Sequence, residues 1–235
     1  MITTTPARSI RYGGALGLLL ASALAAAGAL DSLTNKEAAS GLKAALSQGI
    51  DVAVAQLGKR DGFLLDPEAV IPLPPALKKA DKAMRLVGMG GQADELKTAM
   101  NHAAEDAVKE ATPIFKSALQ KMTLADAKTI LTGGDDAGTQ YFRQATSTQL
   151  TEKFKPIVAK ATAKAQLAPL YDRYASQAAS MGLMKQKDAN LNDYVTAHAL
   201  DGLFGRIAEQ EHEIRKNPLG ATSSLLRKVF SAAKP

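Results

Sequence analysis

The chain contains no cysteine and no tryptophan, and aromatic residues make up 5% of its 235 residues. Without cysteine it has no disulfide, no thiolate zinc site, no cysteine nucleophile and no lipid anchor on cysteine. Three histidines (His102, His198 and His212) are few for a histidine-based metal centre. The formal charge of +6 is modest for this length, and it shrinks further if Arg8 and Arg11 leave with an N-terminal segment. A nucleic-acid binder would show a basic stripe with aromatic residues for stacking, and none is found. What is present is apolar: 46% hydrophobic against 22% charged residues, enough for a core and too much for a disordered chain.

The first 29 residues read as a secretory signal peptide, leaving residues 30–235 as one all-helical domain. Arg8 and Arg11 with no acid form the positive end, and Gly13 through Leu24 form the apolar middle. Three small-x-small exits follow, Ala23-Leu24-Ala25, Ala25-Ala26-Ala27 and Ala27-Gly28-Ala29. The competing reading is an uncleaved anchor, but residues 13–30 are Ala-rich and barely reach the ~20 apolar residues a spanning helix needs. A periplasmic or secreted location is therefore expected, with no stable membrane span after cleavage.

Helical periodicity recurs along the rest, and no alternating strand pattern interrupts it. Thr34 and Glu37 form a capping box before Leu42, Leu46, Ile50, Ala53 and Leu57, and Gly58 stops that helix. Residues 59–75 read as a loop, with an Asp61-Gly62 turn and an extended Ile71-Pro72-Leu73-Pro74-Pro75 run. Helices are predicted over 76–87, 92–112, 114–122 and 123–131, the last capped by Thr123 with Asp126 at the box position. After Thr132-Gly133-Gly134, a long helix runs from Asp135 towards Lys164, with Pro156 as a site for a kink. Further helices are predicted over 167–181, from about Asn192 to Lys216, and over 222–230. The expected class is all-α, an irregular bundle of about seven to nine helices without a sheet.

Signatures of chemistry are missing: no H-E-x-x-H, nucleophile elbow, phosphate loop or dinucleotide fingerprint. Glu209 and His212 have the E-x-x-H spacing of di-iron bundles, but no second copy exists. His102 and Glu105 have the reversed order, and a solvated charged face accounts for both segments. No metal and no cofactor are expected.

Two charges fall on apolar stripes. Arg143 extends the stripe Leu150, Phe154, Ile157 and Ala161, and Glu211 falls between Ile207 and Ile214 beyond Leu200, Leu203 and Phe204. Such charges are costly in a core unless paired. Either Arg143 meets Glu211 (or neighbouring Asp201) as a partly buried ion pair, or both reach water from the stripe edge. The turn at 132–136 feeds a helix N-terminus able to hold an anion. Asp135 and Asp136 would repel one there, and fit as cap and first-turn residues. Leu225, Leu226, Val229 and Phe230 with Arg227, Lys228 and Lys234 form a small basic amphipathic segment, which can pack on the bundle or touch anionic lipid.

The run from Leu131 to Arg143 (LTGGDDAGTQYFR) resembles the signature of the bacterial domain-of-unknown-function 4197 family. So do Gly58-Lys59-Arg60-Asp61-Gly62-Phe63-Leu64, Ile71-Pro72-Leu73-Pro74, Asp188-Ala189-Asn190-Leu191 and Ala199-Leu200-Asp201-Gly202-Leu203-Phe204. Ile207-Ala208-Glu209 with Ile214-Arg215 also match, so the resemblance spans about 33–230. Gly134 and Gly138 depart from the Pro and Ala expected there, which would loosen the turn, and His212 departs from a basic or variable position. The resemblance implies an exported helical protein and transfers no catalytic residue. It points to a candidate surface of Thr132, Asp135, Asp136, Thr139, Gln140, Tyr141 and Arg143, to which the stripe argument adds Asp201 and Glu211.

The expected function is that of a non-enzymatic envelope protein. It would bind a protein partner, through a helix face or the 59–75 loop, or a small apolar ligand inside the bundle. An enzyme is the alternative, and would require carboxylates among Asp61, Asp135, Asp201 and Glu209 to converge in a cleft. A purely structural or stress-related role is the third class.

Overall fold

Helix α1, Asn35–Leu57, buries the stripe Ala39, Leu42, Leu46, Ile50, Ala53 and Leu57, as its apolar spacing dictates. A computed structural model of the chain describes residues 35–75, 78, 85–86, 91–163, 171 and 190–216. The other helices are α2 (Gly91–Val108), α3 (Thr112–Lys121), α4 (Leu124–Thr132), α5 (Ala137–Thr162) and α6 (Leu191–Lys216). Among the described residues the fold is thus all-helical, with six helices rather than seven to nine and no strand. The helices expected over 167–181 and 222–230 and nearly all of 76–87 lie outside the described residues, as do Thr34 and the segment read above as a signal peptide.

The long helices α1, α2, α5 and α6 pack into the bundle, while short α3 and α4 bridge α1 to α5. Small residues set the spacing: Ala93, Ala103, Ala104 and Ala107 of α2 are all buried, so neighbouring backbones approach closely. The bulk is concentrated at one aromatic centre. Phe115 meets Phe142 edge-on at 5.4 Å and Phe204 at 6.0 Å, which locks α3, α5 and α6 together.

Boundaries follow local chemistry. Helix α2 stops at Val108, four residues earlier than its periodicity predicts, because the chain turns tightly through 108–111 and starts α3 with Pro113 in its first turn. A proline there lacks only an N–H that would be unpaired anyway. Helix α4 begins with the predicted box: the Thr123 hydroxyl accepts from the Asp126 N–H, and Asp126 accepts from the Thr123 N–H. That N–H, then the hydroxyl, holds the Asp126 carboxyl below its ordinary 3.8. A lowered pKa stabilises the fold above 3.8, and the contribution is lost as the pH falls through the folded value. The stability gap between wild type and Asp126→Asn should therefore narrow below pH 3.8 in an acid titration followed by circular dichroism. Helix α5 runs unbroken through Pro156. Helix α6 is capped by Asn190, whose Oδ1 accepts from the N–H groups of Asn192 and Asp193.

The segment 59–75 is a packed strap rather than a free loop. Phe63, Ile71 and Leu73 are buried in the core. Asn101 of α2, itself fully buried, accepts from the Ile71 N–H (2.8 Å) and donates to the Ile71 carbonyl (3.0 Å). Tyr194 donates to the Pro72 carbonyl at 3.3 Å. At its start the chain folds back so tightly on α1 that a Cβ at Gly62 would lie 2.5 Å from the Gln56 carbonyl oxygen. Asp61 next to it adopts a left-handed φ of 60°, a conformation that aspartate tolerates better than most residues.

Candidate functional site

The N-terminus of α5 is closed by a carboxylate from another helix. Glu211 of α6, 4% exposed, accepts from the Gly138 N–H, the Thr139 N–H and the Thr139 hydroxyl, each at 2.8 Å. It is paired with Arg215 one turn on, Nη2 to Oε1 at 2.7 Å, and Arg215 also donates to the Ile130 carbonyl. The anion suited to this helix end is therefore the protein's own Glu211, placed where free N–H groups and the dipole favour it.

That arrangement corrects two expectations. Asp136 sits at the cap position with φ −121°, ψ 16° and makes no side-chain capping bond; it accepts from Gln140 instead. Asp135 is exposed, 3.4 Å from His212 Nδ1. Nor does Glu211 meet Arg143. Helices α5 and α6 run antiparallel, so Gly138 opposite Glu211 sets Arg143 opposite Phe204 and Asp201. Arg143 lies over the Phe204 ring at 4.5 Å and donates to Asp201 at 3.0 Å. Asp201, the alternative partner, is thus the real one, and the pair is exposed (42% and 66%) rather than partly buried. A double-mutant cycle of Arg143→Ala with Asp201→Ala should give a coupling of about 0.2–1 kcal/mol in chemical denaturation. The cycle with Glu211→Ala should be additive.

The remaining candidates are dispersed. Thr132 turns its hydroxyl back to the Lys128 carbonyl. Thr139 is buried under Glu211, and Gln140 is exposed. Tyr141 donates to the Ala118 carbonyl at 3.1 Å, and burial, then Asp126, raises its pKa. The segment 132–143 is therefore mainly a structural joint, and only Arg143 leads to an opening.

That opening is a shallow cleft of about 160 Å³ on α6, lined by Glu68, Ala69, Asp201, Gly202, Gly205, Arg206 and Glu209. Gly202 packs under Phe63 and Ala69, while a Cβ at Gly205 would meet nothing. Arg206 is paired with Asp66 and with Glu209. Two of the four carboxylates that an enzyme would need, Asp201 and Glu209, share this cleft, and both are held by arginines. Asp61 and Asp135 lie elsewhere, Asp61 beside His102 and Asp135 beside His212.

The match to known proteins is to one family. Residues 32–231 match the family described as protein of unknown function (DUF4197). The chain belongs to this family. No curated protein and no solved structure matches it. Among the described residues of this DUF4197 chain, no helix is long and apolar enough to cross a membrane.

Gly138, expected to loosen the turn, is packed instead. A Cβ there would lie 2.7 Å from Leu46 Cδ2 and 3.0 Å from Glu211 Oε1, so the bare backbone lets the carboxylate reach the helix end. Gly134 faces open space.

The view of His102 and Glu105 as a solvated face is also corrected. Glu105 is 2% exposed; its oxygens accept from the Asp61 and Phe63 N–H groups, both at 3.2 Å. The signal was present, since Glu105 interrupts the small-residue stripe Ala103, Ala104 and Ala107. Arg215, four residues after Glu211, was likewise visible as an i,i+4 pair. Nothing local marked Asn101 as the residue that holds Ile71.

Proposed function

We propose that this DUF4197 protein is an exported, non-enzymatic envelope protein that binds a basic segment of a protein partner at the cleft on α6. The cleft carries the reading. Its acids Glu68, Asp201 and Glu209, with Asp66 beside them, outnumber the two arginines that pair with them, Arg143 and Arg206. Gly205 leaves the floor open for an incoming side chain. A polar opening of this kind suits lysine or arginine side chains better than the small apolar ligand otherwise considered for the bundle interior. Export is supported by Arg8 and Arg11 ahead of an apolar run and small-residue cleavage triplets.

Photo-crosslinking in intact cells from a probe at position 209, on the exposed edge of the cleft, tests the site. Adducts that vanish with the charge reversals Glu68→Lys and Asp201→Lys support it. Identical adducts from a probe at Leu124, exposed on α4, sink it. Mass spectrometry of the purified N-terminus tests export: a start near residue 30 supports it, and an intact Met1 rejects it.

Gly205 also separates binding from stability. Replacing an exposed glycine inside a helix by alanine should stabilise the fold by about 0.5–1 kcal/mol, measured as a raised thermal midpoint. Gly205→Leu should keep that gain while blocking the cleft and abolishing the adducts.

A further inference from the structure

We infer that Asp61, His102 and Glu105 form a binding site for a first-row divalent metal ion such as Zn²⁺ or Mn²⁺. His102 and Glu105 stand one turn apart on α2, and the tight turn after α1 brings Asp61 to them. His102 Nε2 lies 2.9 Å from Asp61 Oδ1 and 4.0 Å from Glu105 Oε2, and one ligand atom from each residue falls within 4.8 Å of the other two. An imidazole nitrogen with two carboxylate oxygens is a donor set for borderline divalent ions.

The charge balance points to a cation. The Glu105 side chain is 3% exposed, and its partners are two N–H groups and the imidazole, with no lysine or arginine among them. Glu211, the other buried carboxylate among the described residues, has the guanidinium of Arg215 at 2.7 Å. Lys109, one turn beyond Glu105, is engaged instead by Asp106 at 2.8 Å. A buried carboxylate without a counter-charge is costly, and a metal ion between Asp61, His102 and Glu105 supplies one.

Closing such a site needs movements of no more than roughly 1.5 Å, since no two of the three ligand atoms are more than 4.8 Å apart. Ligand atoms on a tetrahedral zinc, with bonds of about 2.0–2.1 Å, stand roughly 3.3 Å apart. Glu105 Oε2 must therefore approach the imidazole by roughly 0.7 Å, and the His102–Asp61 hydrogen bond opens. Asp61, 40% exposed, leaves one side open to water, which would fill the remaining coordination positions. The ion would then fasten the strap 59–75 to α2.

Full-length protein freed of metal by chelator and dialysis is titrated with Zn²⁺, and separately with Mn²⁺, by calorimetry. One equivalent should bind with at least one of them and raise the thermal midpoint. Affinity should fall at least about tenfold in His102→Ala and in Asp61→Asn, while His212→Ala binds as wild type. Asp61→Asn keeps the proposal testable if His102→Ala fails to fold, because asparagine accepts the left-handed backbone. Absence of stoichiometric binding of either ion by the wild type overturns the site. Equal affinity in folded Asp61→Asn and wild type does so too.

Discussion

Glu211→Ala should destabilise the protein by about 3–5 kcal/mol, the loss typical when one partner of a buried ion pair is removed. The substitution leaves the Arg215 guanidinium, 12% exposed on its side chain, facing a vacated pocket. It also strips the acceptor from the Gly138 N–H, the Thr139 N–H and the Thr139 hydroxyl. Glu211→Gln should lose less but still substantially, since an amide presents one acceptor oxygen where the carboxylate presents two. Arg215→Ala should cost less than Glu211→Ala, because the helix N-terminus still holds the anion. The double variant should fall well short of the sum of the two single losses. Urea unfolding of the wild type and the four variants checks all of this, and a loss below about 1 kcal/mol for Glu211→Ala would show that the clamp is dispensable.

Asn101→Leu, a swap that keeps the number and branching of side-chain heavy atoms, should cost about 2–6 kcal/mol. It leaves the Ile71 N–H and carbonyl buried without their partner, and each buried unsatisfied group costs about 1–3 kcal/mol. The damage should be local first: hydrogen exchange at the Ile71 amide and proteolysis within 59–75 should accelerate before the bundle opens. The strap also carries Glu68 and Ala69, which line the cleft on α6. Crosslinking from position 209 should therefore weaken in this variant, although Asn101 does not line the cleft. An Ile71 amide as protected as in wild type would contradict the assigned role.

The legible parts of this molecule were those governed by residues close together in the chain. The stripe of α1, the Thr123–Asp126 box and the Asp61-Gly62 turn rest on one helical turn or less, so spacing suffices to read them. The boundary at Val108 was misread because alanines continue the apolar period through Ala111, while Pro113 restarts the helix only two residues later. Membership of the DUF4197 family was legible as well, since its motifs are runs of adjacent residues.

Partner choice was another matter. For Arg143, Glu211 and Asp201 were both chemically adequate, and the antiparallel register of α5 against α6 selected Asp201. The same register delivered Glu211 to a helix end 72 and 73 residues away, displacing the nearer Asp135 and Asp136. The burial of Glu105 depended on the strap amides arriving over α2. By itself the sequence determined the all-helical build of the described residues, their caps and their apolar faces, because these are short-range periodic properties. Which charges meet, which carboxylate is buried and where a cleft opens were decided by the tertiary structure, because a buried charge takes the partner that packing brings within hydrogen-bond reach.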